Sequence, residues 1–170
     1  MNLIHFVSKL EDTRRSQGQR YKFSSLILTC ILGHCCGHSG GREIARFARA
    51  NKEVLQTHLS YKDKMPSHVT FQYFLNSIDH EKLLGAFNAW VREDSGITPS
   101  ALDTLSGDGK ALRSTVSDVN DTNQKFTQIV SLFLTKLGVT LCLQDFENEK
   151  KGEAEILRLL LQELKKKGLL

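Results

Sequence analysis

The sequence predicts an α+β chain, with an all-α domain over residues 1–95 followed by a β-β-β-α portion over residues 101–170. Three observations point there. Apolar residues recur at helical spacing through the first part. A stretch of linker composition, Asp94-Ser-Gly-Ile-Thr-Pro-Ser-Ala101, follows it. Beyond that stretch, short β-rich runs precede one strongly amphipathic helix.

In the first part, Leu26-Ile-Leu-Thr-Cys-Ile-Leu32 is apolar almost all round, which suits a helix buried in a bundle. Gly33, Gly37, Gly40 and Gly41 then mark a turn. Residues 41–51 place Ile44, Phe47 and Ala48 on one helical face and Arg42, Arg46 and Arg49 on another. Pro66 stops whatever precedes it. Ser67 is an N-cap candidate for a helix bearing Phe71, Phe74, Leu75 and Ile78. Asp79 can cap a last helix that turns Leu83, Leu84, Phe87 and Trp90 toward the core.

In the second part, residues 101–107 form a short strand with Asp108 at its end. Residues 126–135 and 139–143 read as two more strands, joined by a tight hairpin at Lys136-Leu137-Gly138. Residues 153–167 then form a helix with Ile156, Leu157, Leu160, Leu161 and Leu164 on its apolar face. Lys165-Lys166-Lys167 complements the C-terminal end of its dipole, and Gly168 is a natural stop. A parallel strand reached by a right-handed crossover normally follows such a unit, and only Leu169-Leu170 remain for it.

Composition narrows the class. Hydrophobic residues make up 40% and charged residues 25%, which favours a packed globule over disorder. The net charge of +4 sits in the first part, where 13 Lys/Arg face 9 Asp/Glu, whereas residues 101–170 carry 10 of each. That asymmetry fits a polyanion partner, although a solvated surface explains it as well. The N-terminus is too short for a signal-peptide core, and residues 21–32 fall short of a membrane span. The cytoplasm is therefore the expected location, with Cys30, Cys35, Cys36 and Cys142 reduced and no membrane partner.

Asp108-Gly109-Lys110 carries the sharpest chemical suggestion. A carboxylate at the C-terminal end of a strand stands where open α/β sheets hold their ligands. Gly109 would let a phosphate approach, and Lys110 and Arg113 could bind its oxygens. Gly-Asp-Gly is also ordinary turn chemistry, and spacing alone favours the turn. The Arg42, Arg46 and Arg49 stripe, with Lys52, could neutralise several phosphates; the other reading is a solvated face with Glu43 pairing Arg46. His34-Cys35-Cys36-Gly37-His38 has no second ligand pair at zinc spacing, so Cys35 and Cys36 are expected as small buried residues, with Gly33 and Gly37 allowing close helix contact. Glu147, Glu149, Glu153 and Glu155 read mostly as a solvated helix start.

The string Asp108-Gly-Lys-Ala-Leu-Arg113 is similar to the opening of the catalytic domain in H-repeat-associated DDE transposases. Asp12-x-Arg14-Arg15, Gly41-Arg-Glu-Ile-Ala-Arg-Phe-Ala48, Met65-Pro-Ser-His-x-Thr-Phe71, Ile78-Asp79 and Trp90 resemble that family's N-terminal associated domain. Gln144-Asp-Phe-Glu-Asn-Glu149 and Glu153-Ala-Glu-Ile-Leu-x-Leu-Leu160 resemble its next strand and helix. The likeness spans residues 12–168. Gly107 departs from it, standing where an apolar strand residue would pack better.

The resemblance implies a DNA-binding helical domain followed by an incomplete ribonuclease-H-like domain that uses Mg²⁺ or Mn²⁺. Asp108 matches the first of three metal-binding catalytic acids. The expectation is a truncated insertion-sequence transposase, inactive alone, that meets transposon-end DNA through Arg42, Arg46, Arg49, Lys110 and Arg113. The alternative is a non-catalytic DNA-binding module, or a decayed remnant that competes for transposon ends. An open sheet edge beside the Asp108 strand would favour self-association.

Overall fold

A computed structural model describes residues 3–62, 64–94, 104–112, 115–116, 125–135, 138–147 and 152–166. The elements are α1 (Leu3–Ser8), α2 (Phe23–Cys35), α3 (Gly40–Ala50), α4 (Lys52–His58), α5 (His68–Ser77), α6 (His80–Asp94), β1 (Leu105–Ala111), β2 (Thr127–Leu134), β3 (Val139–Glu147) and α7 (Glu153–Lys166). A short 3-10 turn, Ser16–Gly18, precedes α2. The α+β class is as the sequence predicts. The chain forms two compact units, Asn2–Leu83 and Leu84–Leu170, so the division falls inside α6. The predicted linker lies, apart from Asp94, outside the described residues.

The first unit is helical. Leu26, Ile44, Ala45, Ala48, Phe71 and Phe74 are buried where α2, α3 and α5 meet. Tyr61 is buried beside α2: its hydroxyl donates to Ser25 O at 2.9 Å and lies 2.8 Å from Thr29 Oγ1. Ser67 caps α5 by accepting Thr70 N–H at 3.2 Å, and Asp79 Oδ1 accepts Lys82 N–H at 3.1 Å at the start of α6. Both caps match the sequence reading.

Two expectations about the first turn are corrected. Cys35 and Cys36 are exposed, because α2 ends there and its buried stripe stops at Gly33. Gly33 does lie buried against α3, where a Cβ would meet Ile44 and Phe47 at an ordinary 3.5 Å, but the tight approach between helices is at Gly41. A Cβ at that position would lie 2.8 Å from His68 O and 2.9 Å from Gln72 N. Gly37 instead serves the turn itself, with a φ of 81° that few other residues adopt.

In the second unit, β1, β2 and β3 form an antiparallel sheet in that order. α7 lies on one face, where Val130, Leu132 and Cys142 meet Ile156, Leu160 and Leu164. Leu161, predicted for the apolar face, is 37% exposed because the buried stripe follows 156, 160 and 164. The hairpin glycine, Gly138, has a φ of 66°, and its N–H bonds Leu134 O at 3.0 Å; Lys136 and Leu137 lie outside the described residues, as do Lys167 and Gly168. Asn88 of α6 joins this unit through two bonds to one residue of β3. Its Nδ2–H donates to Leu143 O and its Oδ1 accepts Leu143 N–H, each at 2.9 Å. The amide thus supplies to β3 what a further strand would.

The Asp108 segment differs most from expectation. It is neither a turn nor a strand end: β1 continues to Ala111, which puts Asp108 at mid-strand, opposite Ser131. The glycines permit this because they face α7. A Cβ at Gly107 would come within 2.5 Å of Leu157 Cδ2, and one at Gly109 within 2.5 Å of Glu153 Cδ. An apolar side chain at Gly107 would therefore displace Leu157 rather than improve the packing.

Candidate nucleic-acid interface

The first unit carries the predicted arginine face. Ser39 enters α3 in an extended conformation, and the preceding turn closes at Gly40 with a φ of 80°. Glu43 Oε2 accepts Ser39 N–H at 2.7 Å, satisfying a donor just before the helix. That hydrogen bond, more than the nearby Arg46 and His38, holds the Glu43 carboxyl below the ordinary carboxylate range. It also engages the carboxylate that the sequence offered as an ion-pair partner for Arg46.

Arg42, Arg46 and Arg49 are exposed on the side of α3 opposite Ile44, Ala45 and Ala48. Among the described residues, none of the three guanidinium groups makes a hydrogen bond or an ion pair. A rise of ~1.5 Å per residue spreads them over about 10 Å of helix. Lys52, also exposed, continues the positive surface at the start of α4.

Two grooves flank α5. One runs between α3 and α5 and is lined by Arg42, Arg46, His68, Gln72 and Tyr73. The other lies across α5 and is lined by Arg15, Arg20, Lys64, Thr70 and Tyr73. Among the described residues, no Asp or Glu lines this second groove. Tyr73, 73% exposed, borders both and stands on the ridge between them.

Arg14 explains how the second groove is held open. Its Nε–H and Nη2–H donate to the two Asp12 carboxylate oxygens, each at 2.8 Å. Nη2 also reaches Tyr21 O at 2.9 Å, and Nη1 reaches Gly18 O at 3.2 Å. The guanidinium stands 5.6 Å from the Phe74 ring centre and 5.9 Å from that of Phe23. Arg14 is thus a brace for the loop, which leaves Arg15 and Arg20 exposed on it. The same hydrogen bonds lower the Asp12 pKa.

Sequence reasoning found the α3 arginines and missed this groove. Its cations come from two distant loop segments that no single helical period connects.

The predicted catalytic corner is sparser. Asp108 and Lys110 are both exposed and alternate with Gly107 and Gly109, so they share the sheet face away from α7. Ser131 stands opposite Asp108, and its hydroxyl donates to Asp108 O at 3.4 Å. Gly109 offers no approach to a phosphate from its open face, since the Glu153 carboxylate occupies that space. Glu153 is consequently across the sheet from Asp108. Arg113 and Glu149 lie outside the described residues.

Among the described residues, no three His, Cys, Asp or Glu side chains converge as ligands for a metal ion. One exposed carboxylate with a lysine two residues along its strand is a poor donor set for divalent cations, which need several oxygen ligands. These residues therefore do not fit a Mg²⁺ or Mn²⁺ site on their own. His34 is engaged elsewhere: its Nδ1–H donates to Cys30 O at 2.7 Å, one helical turn back. Among the described residues, no helix is long and apolar enough to cross a membrane.

Residues 4–91 match the protein family described as DDE_Tnp_1-associated. The chain is also similar to the "H repeat-associated putative transposase YhhI" of Escherichia coli (strain K12). Identity is 24% over 166 residues, covering 98% of this chain and 43% of that protein. The chain thus spans less than half the length of this curated relative. No solved structure matches it significantly.

Proposed function

The chain belongs to the DDE_Tnp_1-associated family, and on that premise we propose that it serves an insertion-sequence transposase by holding DNA through its first unit. The observation that carries this reading is the face of Arg42, Arg46 and Arg49, exposed and without ion-pair partners among the described residues. Engaged arginines would stabilise the fold. Free ones of the same sign, aligned on one helix, suit a phosphate backbone.

The second unit takes the opening position of a ribonuclease-H-like catalytic domain in this reading. An antiparallel β1-β2-β3 meander with a helix laid on one face supports it. Asp108 then corresponds to one acid of a metal-binding set, and Lys110, exposed on the same face, is an additional DNA contact. In this reading a polypeptide of these 170 residues binds DNA ends without cutting them, because among its described residues no three acidic, His or Cys side chains converge as ligands for a metal ion. It then acts as a competitor for ends that an active transposase would process.

The test is duplex-DNA binding at low salt, followed by incubation with Mg²⁺ or Mn²⁺ and inspection for nicks. Binding without nicking is expected. Nicking that disappears in Asp108→Ala would overturn the non-catalytic part, and no binding at low salt would overturn the reading as a whole.

A further inference from the structure

We propose that α5, rather than the arginine-bearing α3, is the element that reads base sequence in the DNA major groove; the inference rests on the DNA-binding function proposed above. Its inner face, with Phe71 and Phe74, is buried. Val69, Gln72, Tyr73 and Asn76 are exposed on its outer face at i, i+3, i+4 and i+7 spacing, which places them in one stripe. Gln72 Nε2–H points at Asn76 Oδ1, 3.4 Å away, so the two amides stand side by side.

The chemistry of that stripe differs from its surroundings. α5 contains no Lys, Arg, Asp or Glu. Gln and Asn can each pair a donor and an acceptor with the adenine edge, an apolar side chain can meet the thymine methyl, and an exposed ring adds a flat apolar surface. Cations instead line the grooves on either side: Arg42 and Arg46 on one, beside a Glu43 carboxylate that accepts the Ser39 N–H, and Arg15, Arg20 and Lys64 on the other. A helix with its side chains is about 10–12 Å across, and the major groove is about 12 Å wide. Inserting α5 therefore presents the two cationic banks to the two phosphate backbones that border the groove. Phosphate contacts fix position and base contacts carry sequence information. The surface separates the same two roles.

Gly41 makes this presentation possible, since it lets α3 lie against the backbone of α5 at His68 and Gln72.

The experiment offers the full chain a pool of random-sequence DNA duplexes and sequences what it retains. The expected result is enrichment of a short A·T-containing motif. Gln72→Ala, Asn76→Ala and Tyr73→Ala, all at exposed positions, should each lose about tenfold or more in affinity for that motif. Their affinity for unselected duplex and their melting curves should stay close to those of the parent. Arg42→Ala and Arg15→Ala should weaken motif and unselected duplex alike.

Binding without any enriched motif overturns the proposal, and so do α5 variants that keep the parental preference. Failure of the parent chain to bind unselected duplex at low salt is a different result, because it removes the DNA-binding function itself.

Discussion

Gly41 of α3 lies so close to Gln72 of α5 that a β-carbon at position 41 would stand 2.9 Å from the Gln72 backbone nitrogen. This approach sets the cationic face of α3 beside the exposed stripe of α5. Neighbouring backbone, unlike a flexible side-chain end, cannot swing aside.

Gly41→Ala should consequently destabilise the first unit, even though alanine is the better helix former by ~1 kcal/mol. Overpacking typically costs about 1–3 kcal/mol, leaving a net loss of roughly 1 kcal/mol. Thermal melting should show a fall of several degrees, and an unchanged or raised midpoint would refute the close packing.

Arg14→Ala should cost about 2–4 kcal/mol, since it removes a fork onto Asp12 together with two carbonyl contacts. The pH dependence has a definite sign. Arg14 lowers the Asp12 pKa, so the pair stabilises the fold above the ordinary Asp value of ~3.9 and ceases to as pH falls through the lowered folded value. The stability gap between the parent and Arg14→Ala should therefore narrow in acid. A gap that widens below about pH 4 would contradict this.

Asn88→Ala would strip both bonds from Leu143 of β3 and leave its N–H and C=O without those partners. Leaving such groups unmade costs about 1–3 kcal/mol. Amide exchange should accelerate at Leu143 more than at Val130, which sits in the central strand, and equal acceleration at both would argue against an edge role.

Cysteine labelling in the native state should modify Cys35 and Cys36 and spare Cys30 and Cys142, which are buried. Burial pushes the Cys30 thiol up to about 12, which also suppresses its thiolate. Mass spectrometry of the native protein should show two adducts, rising to four in denaturant. Rapid modification of Cys30 in the native protein would contradict the packing of α2.

Much of the fold is legible in local patterns. Ser67 and Asp79 are caps whose bonds reach only three residues ahead. The buried spacing of Ile44 and Ala48 follows directly from helical period. The Asp108 segment was illegible for the opposite reason. Two glycines around an acid look like a turn until α7, more than forty residues later, supplies Leu157 and Glu153 to occupy the space they leave. The candidate interface divides in the same way. The arginines of α3 lie within one helix, whereas Arg15, Arg20 and Lys64 become one bank only when the Arg14–Asp12 brace folds the loop. The stripe from Val69 to Asn76 was readable as the complement of Phe71 and Phe74, but its significance depends on the grooves beside it.

The most direct test of the central claim is the salt dependence of duplex-DNA binding by the full chain and by its Arg42→Ala/Arg46→Ala/Arg49→Ala variant. Each lost phosphate contact should reduce the log–log slope by about 0.9, so the triple variant should be shallower by up to about 2.7 and bind more weakly. The same slope and affinity in both proteins would show that the α3 face does not meet DNA.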